Sequence, residues 1–275
     1  MSRLGRHEVP FRDKVKGEAR AKDVNPYVAS HRTYGPPVIP AEEAGAWRGR
    51  WDECFGRSAP LHLEVGCGNG FFLAGMARRH PEFNWVGIEI RYKRVVLTAR
   101  KLQAAGVDGH SRIVRYDAWW LDDLFEAGSL SGIYVNHPDP WMKDRHAGKR
   151  LMGPLFARFA AWALKPGGEV RLKSDHPPNL DGLWEGAQGL PFELLGRSDD
   201  VRSELPWDRE DDVVTNYQSK FDRRDAPVYA LRMVRVAGEV APPDGPRQSR
   251  AVSAAHIPQA DPTAVVPDVE SPPDR

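Results

Sequence analysis

Between Leu61 and Leu73 the chain reads LHLEVGCGNGFFL, which sets Gly66, Gly68 and Gly70 between an apolar run and a helical pattern. Glycine lets the backbone turn sharply there and lets a ligand lie against it without Cβ atoms in the way. The spacing is G-x-G-x-G. Phe71 stands where a dinucleotide loop, G-x-G-x-x-G, wants its third glycine, so a pyrophosphate ligand is disfavoured. Glu89 closes the run GIEI nineteen residues after Gly70, where an acid grips ribose hydroxyls in strand–loop–helix architectures. Glu64, just ahead of the loop, suits a cationic or amine-bearing ligand. Asp117 in RYDAWW either caps a helix or, with the backbone N–H of Ala118, reads an adenine edge. Trp119 and Trp120 read as core.

A second constellation lies at Val135 to Arg150, VNHPDPWMKDRHAGKR. Pro138 and Pro140 fix the backbone on either side of Asp139 and hold its carboxylate in a stiff turn. Lys143, Arg145, His146, Lys149 and Arg150 then arrive within eight residues. A solvated loop would carry such a run, and so would a surface for polyanion phosphates; its place directly after the acidic turn favours the second. Residues 91–101 hold Arg91, Lys93, Arg94, Arg100 and Lys101 with no acid, whereas residues 181–212 hold ten acids against three arginines. Arg91 follows Glu89 closely enough to approach the same ligand. The net charge of +1 therefore conceals a basic face and an acidic one, and a basic face concentrates a polyanion whatever the total.

The elements that must position these groups alternate. LHLEV, NWVGIEI, SRIVRYD, GIYVNH and EVRLKSD read as strands, and segments near 71–80, 92–105, 119–127 and 150–164 as helices. That rhythm predicts an α/β fold, a mostly parallel sheet with helices on both faces. KPGGE at 165–169 fits a helix stop and tight turn, and VYALRMVRV a closing strand. Residues 1–50 read as a basic arm containing Pro and Gly, 51–238 as the folded domain, and 239–275, with eight prolines, as a disordered tail. At 275 residues, 41% apolar and 28% charged, one domain with appendages is expected. MSRLGRHEVPFRDKVK has no apolar run suited to a signal peptide, and no stretch approaches a membrane span, so a cytoplasmic protein is expected. Cys54 and Cys67 have no metal-type spacing, so no metal requirement is expected.

EVGCGNG, GIE and YDA resemble the cofactor motifs of class I methyltransferases, which use S-adenosylmethionine. PDPWMKDRHAGKRL is similar to the signature of the tRNA (guanine-N7-)-methyltransferases, and SD at 174–175 and TNYQSKF at 215–221 resemble that family's substrate-binding pieces. The resemblance spans residues 60–236. It implies a Rossmann-like class I fold, S-adenosylmethionine as cofactor, and methyl transfer to N7 of guanosine in tRNA. It also implies that Glu64, Glu89, Asp117 and Asp139 line the cofactor pocket beside the glycine loop, Arg91 and Ala118, with Asp139 at the catalytic position. Lys143, Asp175 and the segment Thr215, Asn216, Tyr217, Gln218 would contact substrate, and Arg145 to Arg150 would lie along RNA.

Three residues depart from the family pattern. His137 replaces the aromatic residue before PDPW, Gly148 thins the cationic run, and Gln218 stands where the family carries glutamate. A carboxylate would meet both donors of guanine's pairing edge, so Gln218→Glu is expected to raise the rate up to about tenfold. Two competing functions are methylation of an exocyclic base amine, which usually employs an N-P-P-Y order rather than P-D-P-W, and a non-catalytic RNA-binding protein with this fold.

Overall fold

The structure is a computed structural model that describes Tyr27, residues 34–140 and residues 150–243. Lys143, Arg145, His146 and Lys149 lie outside the described residues, as do most of the two appendages. In chain order the elements are β1 (Val38–Ile39), α1 (Ala41–Ala44), α2 (Trp51–Phe55), β2 (Leu61–Val65), α3 (Phe71–Arg79), β3 (Asn84–Glu89), α4 (Tyr92–Ala104), β4 (Ser111–Arg115), β5 (Leu130–Asn136), α5 (Pro154–Ala163), β6 (Leu164–Ser174), α6 (Pro177–Ala187), β7 (Phe192–Ser198), α7 (Gln218–Asp222) and β8 (Tyr229–Arg235).

The strands form one sheet in the order β1-β4-β3-β2-β5-β6-β8-β7. Pairings from β1 to β6 are parallel, and β8 runs antiparallel between β6 and β7. β2, β3 and β4 are buried almost throughout, as parallel strands covered on both faces are, and that burial includes their polar residues His62, Glu64, Asn84, Arg112 and Arg115. Alternate side chains still enter different layers. Trp85, Ile113 and Tyr134 pack with Phe72, Leu73, Val95 and Leu102 of α3 and α4. Val86, Val114, Ile133 and Val135 pack with Phe55, Phe156, Trp162, Leu180 and Leu183 of α2, α5 and α6. The sheet order reverses direction at β2, whose neighbours are β3 and β5, and a crevice opens at the carboxyl ends of these strands.

Four expectations need correction. The folded body begins before residue 51, because Val38 and Ile39 pair with Ile113 and Val114 and are buried. At the other end Val240 packs against the main core, so the folded body extends past residue 239. The helix expected near 119–127 is a short 3-10 segment, Ala118–Asp123, kinked at Trp120. KPGGE does not precede the strand but lies within β6: Leu164 pairs Leu130 and Glu169 pairs Gly132, so Lys165 to Gly168 bulge out between consecutive rungs.

Candidate active site

A cleft of about 780 Å³ lies over the carboxyl ends of β2 to β5. Its floor is the glycine loop. Gly66, Gly68 and Gly70 have φ of 74°, 55° and 74°, and the backbone N–H groups of Gly66 and Cys67 both donate to the Ile88 carbonyl at 2.9 and 3.0 Å. These angles favour glycine. Gly70, expected to touch the ligand, is instead buried outside the cleft walls; a Cβ there would meet Thr98 of α4 at 2.7 Å. It serves the helix approach, and Thr98 in turn donates through Oγ1 to the Gly68 carbonyl.

Glu89 faces the cleft and also ties the loop to α4. Its Oε2 accepts from the Gly68 N–H at 3.1 Å, and Oε1 accepts from those of Ile90 and Arg91 at 2.8 and 2.9 Å. An ionised carboxylate has about four acceptor positions, so roughly one remains for a ligand hydroxyl. Arg91 and Ala118 are further walls. Asp117 lines the cleft and also caps the segment after β4, its Oδ1 accepting from the Trp119 N–H at 3.1 Å. The cap reading of Asp117 is met by this contact, and the residue also borders the cleft. Trp119, expected in the core, packs against it and also forms part of the cleft wall, whereas Trp120 is buried.

Glu64 is the deepest polar group. It is 2% exposed, its Oε1 accepts from Asn136 Nδ2 at 3.1 Å, and Oε2 has no partner among the described residues. Burial pushes its carboxyl up to about 8, against the smaller opposing influences of Asn136, Lys173 and the Leu73 backbone N–H, the last too loosely placed to count as a hydrogen-bond partner. A neutral acid with a spare oxygen at the base of a cleft fits a ligand that brings a positive charge.

Asp139 is exposed at the mouth, in a turn held from both sides: the Pro138 carbonyl accepts from Asn179 Nδ2 at 3.3 Å and the Pro140 carbonyl from Arg150 Nε at 3.2 Å. Arg150, expected along RNA, therefore also braces this turn. Residue types alone did not reveal Asn136, Asn179 or Thr98; all three work through partners 30 or more positions away.

A sequence model of a family described as "Putative methyltransferase" matches residues 58–231. The tRNA (guanine-N(7)-)-methyltransferase of Listeria welshimeri is 34% identical over 71% of this chain and 89% of its own length. That of Halalkalibacterium halodurans is 33% identical over 70% and 86%. This chain belongs to the tRNA (guanine-N7-)-methyltransferase family. The fold is that of class I methyltransferases: the crystal structure of the 16S rRNA methyltransferase KamB matches with a TM-score of 0.50 at 15% identity, covering 69% of this chain and 94% of that one.

The segment TNYQSKF, which corresponds to a substrate-binding piece of the family, divides in two directions. Asn216 and Tyr217 are exposed at the cleft mouth, joined there by Lys220. Thr215 lines the cleft, but its Oγ1 accepts from the Gln218 N–H at 3.0 Å. Gln218 does not face the cleft. It is 4% exposed, and its Oε1 accepts from Lys173 Nζ at 2.9 Å. Lys173 is itself buried, donating also to Asp212 Oδ1 at 2.7 Å and the Val213 carbonyl at 3.2 Å. Gln218 thus fixes α7 to β6 through Oε1 and is absent from the cleft lining, so its position gives no support to the expected gain from Gln218→Glu. A second carboxylate beside one lysine in a buried site adds an uncompensated charge instead. Asp175 likewise does not line the cleft directly and reaches it through His137, whose Nδ1 lies 3.4 Å from Asp175 Oδ1.

Proposed function

We propose that this protein binds S-adenosylmethionine in the cleft and transfers its methyl group to N7 of guanosine in tRNA. The observation that carries the reading is the buried Glu64 carboxyl with one free oxygen at the base of a cleft whose mouth presents Asp139. When bound, the cofactor supplies an electrophilic methyl on a sulfonium sulfur. Glu64 answers the positive charge, Glu89 the ribose hydroxyls, and Asp117 with the Ala118 N–H the adenine edge. Guanine N7 carries an in-plane lone pair and no proton at neutral pH, so no base need act first. The protein must mainly hold two reactants in line, which is worth about 7 to 11 kcal/mol. Asp139 is then an orienting and electrostatic group facing the charge that develops on guanine. Among the described residues no helix is long and apolar enough to cross a membrane, and no cluster of three or more His, Cys, Asp or Glu could hold a metal ion. A cytoplasmic site of action and independence of metal belong to the same proposal.

Labelled cofactor incubated with unmodified tRNA, followed by digestion to nucleosides, tests the reading. Label in 7-methylguanosine is expected; label on an exocyclic amine, or none, overturns it.

Glu89→Ala should weaken cofactor binding by about 1.5 to 3 kcal/mol, the worth of hydrogen bonds to a charged group. Because Glu89 also ties Gly68 to α4, the thermal unfolding of this variant must be followed beside calorimetric binding. Unchanged affinity in a folded variant removes Glu89 from the cofactor site. For the cationic run, each phosphate contact contributes about 0.7 to 0.9 to the slope of log affinity against log salt. Arg145→Ala with Lys149→Ala should flatten that slope for tRNA by about 1.5 and spare cofactor binding. An unaltered slope would make this run a solvated surface. Arg150 is left in place because it braces the Pro140 carbonyl.

A further inference from the structure

His137 combines features that its shape alone does not require. Its φ is +50°, in the left-handed region where a non-glycine residue is strained. His137 belongs to the cleft wall, its side chain is 3% exposed, and its ring stacks on Phe221, with centroids 6.0 Å apart and planes 9° from parallel. Tyr217, at the cleft mouth, lies against both rings, 4.7 Å from His137 and 5.2 Å from Phe221. Any aromatic ring would fill this space. What histidine adds is Nδ1, set against Asp175, and Nε2, which is buried without a hydrogen-bond partner among the described residues. An orphaned nitrogen on a strained residue in a cleft wall marks a group waiting for a ligand.

The tautomer follows from the partner. An ionised carboxylate only accepts, so the Nδ1 facing Asp175 carries the proton and donates it. Burial holds the imidazole below its ordinary pKa although Asp175 opposes this, so the ring is neutral and Nε2 presents a lone pair. The ligand must therefore offer a donor. We propose that His137, oriented by Asp175, accepts a hydrogen bond from the ring N–H on the pairing edge of the target guanine and thereby selects guanine over adenine.

The proposal rests on the reading of the protein as a guanine-N7 methyltransferase and names the group that identifies the base. His137 and Asp139 are two residues apart, so their Cα atoms are separated by no more than about 7 Å, a length one purine spans. N7 can then lie near Asp139 while the adjacent pairing edge reaches His137. Adenine presents a lone pair at the equivalent ring nitrogen, and two facing acceptors leave both unpaired, the arrangement that gives strong rejection. Methylation places positive charge on the base and makes the guanine ring N–H more acidic, so the contact tightens toward the transition state without any proton having to leave. Gln218, held by Lys173, is not available for this contact.

The test compares single-turnover methylation of tRNA carrying guanosine or 2-aminopurine riboside at the mapped target position. The analogue keeps N7 and the amino group but lacks the ring N–H. The native protein should favour guanosine, and the preference should fall about tenfold or more in His137→Phe, which keeps the ring and removes the acceptor. His137→Gln, which restores an acceptor oxygen, should recover part of it. Forming the ratio within each protein cancels the intrinsic reactivity of the two bases, and a merely structural role for His137 would leave the ratio unmoved. An unchanged preference in a His137→Phe protein that still binds cofactor overturns the proposal. So does equal use of both bases by the native protein, a result that needs no variant to fold. If the native protein methylates neither, the functional reading fails rather than the role of His137.

Discussion

Glu64→Gln should weaken S-adenosylmethionine binding by two orders of magnitude or more and, at the same pH of 7, make the unliganded protein more stable. Both effects come from one buried carboxyl. Burial raises it to about 8 in the folded chain, whereas the unfolded chain has the ordinary value of 4.5. The stability this neutral acid allows is fully present below pH 4.5. It is lost progressively as the unfolded state ionises first, and the loss is complete only once pH passes through the folded value near 8. Each unit corresponds to about 1.36 kcal/mol, so the penalty at pH 7 is on the order of 3 kcal/mol. An amide carries no such penalty, and its oxygen can still accept from Asn136. A rise in melting temperature of about 5 °C is expected at pH 7, shrinking toward zero near pH 5. Parallel pH dependence in both proteins would show that Glu64 is not the responsible group.

The binding half of this result has the opposite sign. A ligand cation beside Glu64 draws the carboxyl back to its charged form, so binding near pH 7 releases a proton and affinity rises with pH up to about 8. Leaving that cation without its buried partner costs about 3 kcal/mol or more. Calorimetry in two buffers of different ionisation enthalpy reads the released proton directly. A binding enthalpy independent of buffer would remove the charge pair from the account.

Asp139→Ala should lower the single-turnover rate by about 10²- to 10³-fold at saturating cofactor, with little change in cofactor affinity. A preorganised group aimed at developing charge is worth about 2.7 to 4 kcal/mol. The turn that carries it is anchored by Asn179 and Arg150 through the flanking carbonyls, so removal of the side chain should not relocate the backbone. Asp139→Asn separates shape from charge. It keeps the outline and loses the negative charge, and it should recover less than tenfold of the deficit. Full recovery would mean that the side chain only positions the base.

The amino-acid sequence by itself determined the strand–loop–helix rhythm, because parallel strands buried on both faces leave short, apolar-rich runs bounded by turn residues. It also determined the stiffness of the Pro138–Asp139–Pro140 turn and the place of Glu64, Glu89 and Asp117 at strand ends, since these depend on neighbours in the chain. β7 escaped notice for the same local reason: as an edge strand in the acid-rich segment it exposes Glu193, Leu194 and Leu195 and has no clean alternation. β1 escaped because two residues inside YGPPVIP carry no period, and only β4 gives them a ladder. Tertiary structure alone decided which oxygen of Glu64 is free, because burial and the reach of Asn136 are set by strands 72 positions apart. It alone turned Gln218 inward to Lys173, 45 positions away, where a family pattern read along the chain pointed the residue at a base. It alone brought His137 to Asp175, 38 positions on, at the adjacent ends of β5 and β6. Side-chain direction and ionisation depend on what the sheet places alongside, and neither is encoded in the spacing of the residues that carry them.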